Sequence, residues 1–372
     1  MELAYPQHRG TLTTLYNTLW YLGSIIAAWT TYGTIGYAGN ASWRIPVGIQ
    51  ALLPFIQLCG VFLLPESPRW LCSRGRVDEA RQILVKVSSP QKFTIWFILT
   101  MPQYHANGDS SDPFVQAEFA EIEETIALER EFAGVGWIEL VRTPGNRRRL
   151  LLILLTSFFS QCSGNGLVSY YLHDVLSSVG VTDSRSQSIF NGGLQIWSWL
   201  IAIAFSVFLV DRLGRRMLFF IAAVGMLVVF SVWTACSAVY AQTGNSGAGS
   251  AVLAMIFLFY GVAGFAWPGL TVTYSAEILP YSIRAKGLSV CLAVTALSGV
   301  LNQYVNPIGL EHLAWKFYFV YIVILIIEVL CIWFLFVETR GPTLEEMVRV
   351  FDGDDIVGHT EAKTANEHIE SV

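Results

Sequence analysis

Eight long apolar runs dominate this chain and restrict what it can fold into. The chain is 53% hydrophobic and only 14% charged, whereas a soluble domain carries roughly 25% charged residues. A run of about 20 apolar residues crosses a bilayer as a helix, which satisfies its own backbone polar groups in lipid. We therefore predict an all-α polytopic membrane protein with eight transmembrane helices, placed at 11–34, 44–64, 149–173, 187–210, 216–240, 251–275, 286–306 and 316–337.

Basic residues are distributed unequally between the two sets of loops. One set holds little beyond Arg44, Arg185 and Lys316. The richer set comprises Arg9, Arg69, Arg74, Arg76, Arg81, Arg147, Arg148, Arg149, Arg212, Arg215, Arg216, Arg284, Lys286 and Arg340. Because positively charged loops stay in the cytoplasm, we place both termini and the segment 66–148 there. The net charge of −5 does not suggest a nucleic-acid partner.

The chain also contains an internal repeat. The segments 2–10 and 277–287 each have a Glu, an Arg seven residues later, and a Gly that opens an apolar run. A second matching pair is 64–69 and 337–340. The offset between the copies is 275 residues from Glu2 to Glu277 and 272 residues from Glu66 to Glu338. Parallel repeats of membrane spans are typical of secondary transporters. Four spans precede the second copy within its half and none precedes the first, so we expect a complete relative to have twelve spans.

Several motifs together carry a family resemblance. They are Pro65 to Leu71, Ser163 to Gly166 with Tyr170 and Tyr171, Asp211 to Arg216, Glu277 to Gly287, Asn302 to Pro307, and Glu338 to Gly341. The chain resembles the sugar porter branch of the major facilitator superfamily, and it looks closest to fungal lactose and cellodextrin permease-like proteins. The resemblance implies a major facilitator fold lacking its first four spans, with a cytoplasmic helical segment.

The resemblance also divides the chain. Residues 1–65 correspond to a remnant of the N-terminal bundle, 66–148 to a cytoplasmic helical linker, 149–340 to the six-span C-terminal bundle and 341–372 to an acidic tail. Within the linker, Val77 to Val87 and Phe114 to Phe132 are predicted amphipathic helices. Residues 87–103 interrupt the family pattern with an apolar stretch too short to span, and we interpret them as a retained intron.

Polar side chains inside the spans are the candidate substrate contacts. Sugar hydroxyls pair with amides and sugar faces stack on aromatic rings, and polar residues in lipid usually face a cavity. By resemblance, Asn17, Gln161, Asn165 and Asn302 contact the substrate. The resemblance places a stacking aromatic at position 272, which is Val here, and Trp267 is a candidate contact that lies nearby but out of register. The alternative for the amides is helix-to-helix hydrogen bonding, and for Trp267 it is packing. Gly264, Pro268 and Gly269 can break the helix around Trp267.

Two further sets of residues follow from the resemblance. Tyr170 and Tyr171 are candidates for an outer gate. A cytoplasmic ion-pair network would hold the outward-facing state closed on the inside, and its candidate members are Glu66, Arg69, Asp211, Arg212, Arg215, Arg216, Glu277, Arg284, Glu338 and Arg340. Glu328 is an intramembrane acid and therefore a functional candidate. The resemblance implies that it joins this network.

The function predicted is sugar transport, of a disaccharide or hexose, by alternating access. Proton symport in the family relies on an acid in the first span, so no residue here can be assigned to it. Two alternatives stay open, a truncated product that does not transport and a transporter-like nutrient sensor. No Ser–His–Asp spacing, phosphate loop or metal motif is present, so we predict no enzyme, cofactor or metal. We expect a monomer in the lipid bilayer of the plasma membrane.

Overall fold

The computed structural model describes residues 6–37, 39–62, 65–87, 116, 119–120, 122–127, 134–208, 213–340 and 344–352. All long regular elements in these ranges are helices. They are α1 Pro6–Thr34, α2 Ala41–Val61, α3 Pro68–Ser73, α4 Val77–Val87, α5 Glu139–Arg142, α6 Pro144–Cys162, α7 Asn165–Ser178, α8 Ser184–Phe208, α9 Arg215–Thr243, α10 Ser246–Ala263, α11 Trp267–Glu277, α12 Tyr281–Leu313, α13 Tyr318–Leu335 and α14 Leu344–Asp352. A 3-10 turn, Ala314–Phe317, joins α12 to α13.

The described ranges contain five helical stretches that are long and apolar enough to cross a membrane. They are Ala41–Val61, Pro144–Ser178, Arg215–Thr243, Ser246–Glu277 and Tyr281–Leu335. The last has 55 residues and contains two of the predicted spans. Helices α1 and α8 have 29 and 25 residues, which is also the length of a span. The helical membrane fold is thus confirmed, and the count of eight spans stays a prediction.

The chain divides into two compact units, one of Met1–Thr13 with Val47–Val135 and one of Thr14–Pro46 with Gly136–Val372. The first unit contains the linker up to Val135, and the second unit contains its remainder. Helix α4 has the predicted bounds, and its Ala80 packs with Leu71 and Cys72 of α3 and with Phe119 and Ile126. The amphipathic pattern of α4 therefore buries one face in a small core of its own.

An exposed ion pair lies at the start of α4. Arg76 donates hydrogen bonds of 2.8 and 2.5 Å to the two carboxylate oxygens of Glu79. These bonds favour the charged carboxylate, so they lower the pKa of Glu79 from its ordinary value. Residues 88–115, which include most of the suspected intron, lie outside the described part of the chain.

Aromatic side chains form the core of the second unit. Phe230 and Trp233 of α9 have ring centroids 4.8 Å apart, and both rings are fully buried. Phe259 of α10 lies 5.6 Å from Phe230, and Tyr318 of α13 lies 5.5 Å from Trp233. Aromatic rings bury the largest apolar area per residue and prefer such tilted contacts, so this cluster fixes α10 and α13 against α9.

A short helix that the sequence analysis left within the tail packs on the start of α6. Asp352 of α14 accepts hydrogen bonds of 3.1 and 2.6 Å from the guanidinium of Arg149, whose side chain is 1% exposed. The ring of Phe351 lies 4.8 Å from the same guanidinium. Asn146 accepts a third hydrogen bond from Arg149 at 2.8 Å. The bidentate geometry makes this a strong tie between α14 and α6.

We expect Asp352→Ala to destabilise the second unit by about 3 kcal/mol, because it leaves the buried Arg149 without its carboxylate partner. The measurement is thermal unfolding of the purified protein in detergent. Asp174→Ala is the matched control, since Asp174 is exposed on α7, and it should leave the melting temperature unchanged. Equal melting temperatures for Asp352→Ala and the unchanged protein would show that α14 contributes no stability.

Candidate functional site

A break in the helical path between α6 and α7 is the centre of the candidate site. The predicted span 149–173 is two helices that meet at Ser163 and Gly164. Gly164 has φ +103°, and a Cβ there would come within 3.2 Å of the rings of Phe230 and Phe259. Only glycine adopts this conformation readily and leaves room for the aromatic core. The break places Gln161 and Asn165 on either side of it.

Asn302 of α12 lies against this break with both ends of its amide engaged. Its side chain is 4% exposed, and its Nδ2 donates to the carbonyl oxygen of Gln161 at 2.8 Å. The hydroxyl of Tyr321 on α13 lies 3.3 Å from Asn302 Oδ1 and within hydrogen-bond distance of Asn306 Oδ1. Asn302 therefore connects α6, α12 and α13, which is the alternative given for the amides in the sequence analysis.

The side chain of Gln161 is oriented differently from that of Asn302. It is only half-buried, while its backbone carbonyl is the group that accepts from Asn302. A Gln side chain offers two N–H donors and a carbonyl acceptor. The helix break and the Asn302 contact thus hold the backbone of Gln161 in place and leave its amide accessible.

Asn165 begins α7 on the other side of the break. Its side chain is half-buried, and its backbone carbonyl accepts from the hydroxyl of Tyr260 at 3.2 Å. The same Tyr260 hydroxyl lies 2.7 Å from Ser169 Oγ. These contacts fix the first turn of α7 against α10.

Trp267 is a core residue at a second helix break. It begins α11 directly after Gly264 to Ala266, so the break near Gly264 agrees with the sequence analysis. Its ring is 3% exposed and lies 4.9 Å from the ring of Phe219 on α9. Its Nε1 is buried and has no hydrogen-bond partner among the described residues. In this arrangement Trp267 packs between helices.

The two candidate gate residues differ in their contacts. The hydroxyl of Tyr171 donates to the backbone oxygen of Gln303 at 2.8 Å and lies 3.1 Å from its side-chain oxygen. The backbone of Tyr171 is non-helical, with φ −123° and ψ 27°, so α7 kinks there. Tyr170 is 52% exposed. Tyr171, and not its neighbour, thus connects α7 to α12.

Glu338 ties the end of α13 to the start of α9. Its carboxylate accepts from the backbone N–H groups of Arg215 and Arg216 at 2.8 and 3.2 Å. These are the first N–H groups of α9, which lack partners within the helix, and the positive end of the helix dipole favours an anion there. Gly214 has φ +86°, and a Cβ on it would come within 2.6 Å of Glu338 Oε2. Glycine at 214 is therefore required for this cap.

Glu277 joins the same group of residues. Its Oε1 accepts from Nη2 and Nε of Arg215 at 3.1 and 3.2 Å, and its Oε2 accepts from the hydroxyl of Thr339. Arg284 instead donates to the carbonyl oxygen of Leu279 at 3.2 and 3.3 Å. We call the set Arg215, Arg216, Glu277, Glu338 and Thr339 the cytoplasmic cluster, after the side of the membrane that the sequence analysis predicts for it.

The remaining predicted residues are not part of the cytoplasmic cluster as defined, although Arg340 contacts it through its backbone. The backbone N–H of Arg340 donates to Glu338 at 3.0 Å. Glu66 and Arg69 belong to the other compact unit. Asp211, Arg212 and the side chain of Asn17 lie outside the part of the chain that the structure describes.

Glu328 does not contact the cytoplasmic cluster. Its carboxyl is fully buried and lies within hydrogen-bond distance of Ser163 Oγ at the α6–α7 break. The expectation that it joins the network was wrong, because Glu328 lies seven residues before Leu335, about 10 Å along the helix, whereas Glu338 follows the end of α13. Sequence reasoning missed this contact and that of Tyr321. A signal existed in the spacing, since Tyr321, Leu325, Glu328 and Ile332 recur on one helix face and are all buried.

The described residues contain no group of three or more His, Cys, Asp and Glu side chains that could hold a metal ion. The side chains described at the break are the amides of Gln161, Asn165 and Asn302 and the hydroxyls of Ser163 and Tyr321, with the carboxyl of Glu328 beside them.

Comparison with known proteins supplies the family. The sequence matches the family described as "Sugar (and other) transporter" over residues 1–351. The MFS-type transporter oryC of Aspergillus oryzae is 30% identical, over 93% of this chain and 62% of that protein. The low-affinity glucose transporter HXT3 of Saccharomyces cerevisiae is 27% identical, over 93% of this chain and 58% of that protein. The chain thus spans about 60% of the length of these relatives.

A solved structure supports the same fold. It is that of the major facilitator superfamily proton:xylose symporter XylE bound to 6-bromo-6-deoxy-D-glucose, with a TM-score of 0.68 and 21% identity. The match covers 94% of this chain and 69% of that one. Since the family match runs over 1–351 of the 372 residues, the chain belongs to the sugar (and other) transporter family.

Proposed function

We propose that this chain carries a sugar, a hexose or a disaccharide, across a membrane by alternating access. The observation that carries the proposal is the α6–α7 break, where the accessible amide of Gln161 lies beside the buried tie made by Asn302. An amide donates to one sugar hydroxyl and accepts from another. A ligand site at a broken helix within an apolar bundle is typical of secondary transporters.

The topology proposed with this function follows the distribution of basic residues. Eight spans cross the plasma membrane of a monomer, and both termini lie in the cytoplasm. The cytoplasmic cluster then lies at the inner end of the second unit. There it stabilises one of the two access states, because the contacts of Glu338 join two helices that must separate for the inner end to open. The proposal includes proton symport, in which the full-length carrier couples sugar transport to proton movement.

The direct test is uptake into proteoliposomes that contain the purified chain. We expect saturable uptake of labelled glucose or lactose, inhibited by the same sugar without label, and stimulated by an inward proton gradient if the carrier is a symporter. Liposomes without protein are the control. Sugar entry equal to that control, for every hexose and disaccharide tried, would contradict the proposal.

Gln161→Ala should weaken sugar binding about 5- to 10-fold, because one neutral hydrogen bond contributes about 1–1.4 kcal/mol. The measurement is equilibrium binding of labelled sugar to the purified protein. Asn245→Ala is the matched control. Its amide oxygen caps the first turn of α10, in the turn between α9 and α10, at 2.8 Å from the N–H of Gly247. Equal binding by both variants would remove Gln161 from the site.

Glu338→Ala should loosen the first turn of α9, because the N–H groups of Arg215 and Arg216 lose their acceptor. A capping interaction contributes about 1 kcal/mol, so we expect amide hydrogen exchange at these residues to accelerate about 5-fold. Exchange followed by mass spectrometry measures this. Glu311→Ala, at an exposed position near the C-terminal end of α12, is the control and should leave hydrogen exchange in α9 unchanged. Unchanged exchange in Glu338→Ala would show that the cap contributes nothing.

A further inference from the structure

Among the described residues, the buried carboxyl of Glu328 has no cationic partner. It lies midway along α13 at 0% exposure, and its Oε1 has no hydrogen-bond partner among the described residues. Its described polar contact is Ser163 Oγ. Transfer of an isolated carboxylate from water into such surroundings is very unfavourable, so a group of this kind usually becomes neutral. The contacts alone therefore raise the question of where its proton lies.

Counting protons at Ser163 answers this question. Ser163 Oγ lies within hydrogen-bond distance of both the carbonyl oxygen of Phe159 and Glu328 Oε2. A serine hydroxyl has one proton, and a backbone carbonyl can only accept. If Ser163 donates to Phe159, the contact with Glu328 is a hydrogen bond only when the carboxyl is the donor. Both contacts are satisfied together in the protonated form and in no other.

The described side chains that face Glu328 supply no positive charge, which is compatible with a neutral carboxyl. From α6 and from α13 itself, the neighbouring titratable groups are the thiols of Cys162 and Cys331, which carry no positive charge. The buried side chains of α9 between its first and fourth turns are apolar. The two arginines of α9 bond to Glu277, Glu338 and the carbonyl oxygen of Trp333. No described base therefore pairs with Glu328.

We propose that Glu328 is a proton-binding site of the second unit, in which the carboxyl O–H donates to Ser163 Oγ and ties α13 to the α6–α7 break. The unpartnered Oε1 is then a carbonyl oxygen, whose burial costs far less than that of a charge. The bound ligand is a single proton. When water reaches the carboxyl and the proton leaves, the single hydroxyl proton of Ser163 serves only one of its two acceptors, Glu328 or the carbonyl oxygen of Phe159, so the site makes the helix break sensitive to pH. This inference stands on side-chain contacts and is independent of sugar transport.

Infrared spectroscopy of the purified full chain in lipid vesicles tests the site directly. We expect the C=O stretching band of a protonated carboxyl at neutral pH, shifted in D₂O and absent from Glu328→Gln. Glu338→Gln is the matched control. The Glu338 carboxylate accepts backbone N–H groups, so that variant should lose carboxylate bands and keep the protonated band. Loss of carboxylate intensity in Glu328→Gln, with no change in the protonated region, would overturn the proposal.

Ser163→Ala is a second variant that leaves Glu328 in place. It removes the acceptor of the carboxyl proton, so the protonated band should move to the higher frequency of a free carboxyl group. A band that stays at the same frequency would overturn the proposed hydrogen bond. Sugar uptake is not needed for either readout, so a failure of the carrier proposal is distinguishable from a failure of this one.

Discussion

A helix that breaks inside lipid must find new partners for its polar groups, and the second unit depends on how α6 and α7 meet this requirement. Hydrocarbon offers no hydrogen bonds, so irregular backbone survives there only where protein groups supply them. Here the carbonyl of Gln161, at the end of α6, accepts from Asn302, and the carbonyl of Asn165, in the first turn of α7, accepts from Tyr260. Three neighbouring helices, α10, α12 and α13, are positioned by these contacts.

The same contacts connect structure to function. A break held by side chains from other helices can change only when those helices move, which makes the break a point where ligand binding and helix packing are linked. In the proposed function, Asn302 positions the site and Gln161 binds the ligand, and Glu328 is the proposed proton site. Away from the break, Glu338 holds the segment after α13 to the start of α9 through the first backbone N–H groups of α9.

The long helices could be predicted from the sequence because apolar length is a local property. Helix α4 was predicted to the residue, and the family motifs located the cytoplasmic cluster at Glu277 and Glu338. The partners of buried polar groups could not be predicted, because they depend on contacts between distant segments. Asn302 was predicted as a ligand contact and is engaged with α6 and α13. Glu328 was assigned to the wrong partners, since sequence alone does not show which depth of α13 faces Ser163.

The most direct test of this account is to locate the sugar at the helix break. Gln161→Cys, in a background with the six native cysteines replaced, would be modified by a small thiol reagent with and without sugar. The account predicts that a transported sugar slows modification at position 161 and leaves modification of Ser246→Cys, exposed at the start of α10, unchanged. Equal rates at position 161 with and without sugar would contradict the placement of the site at the break.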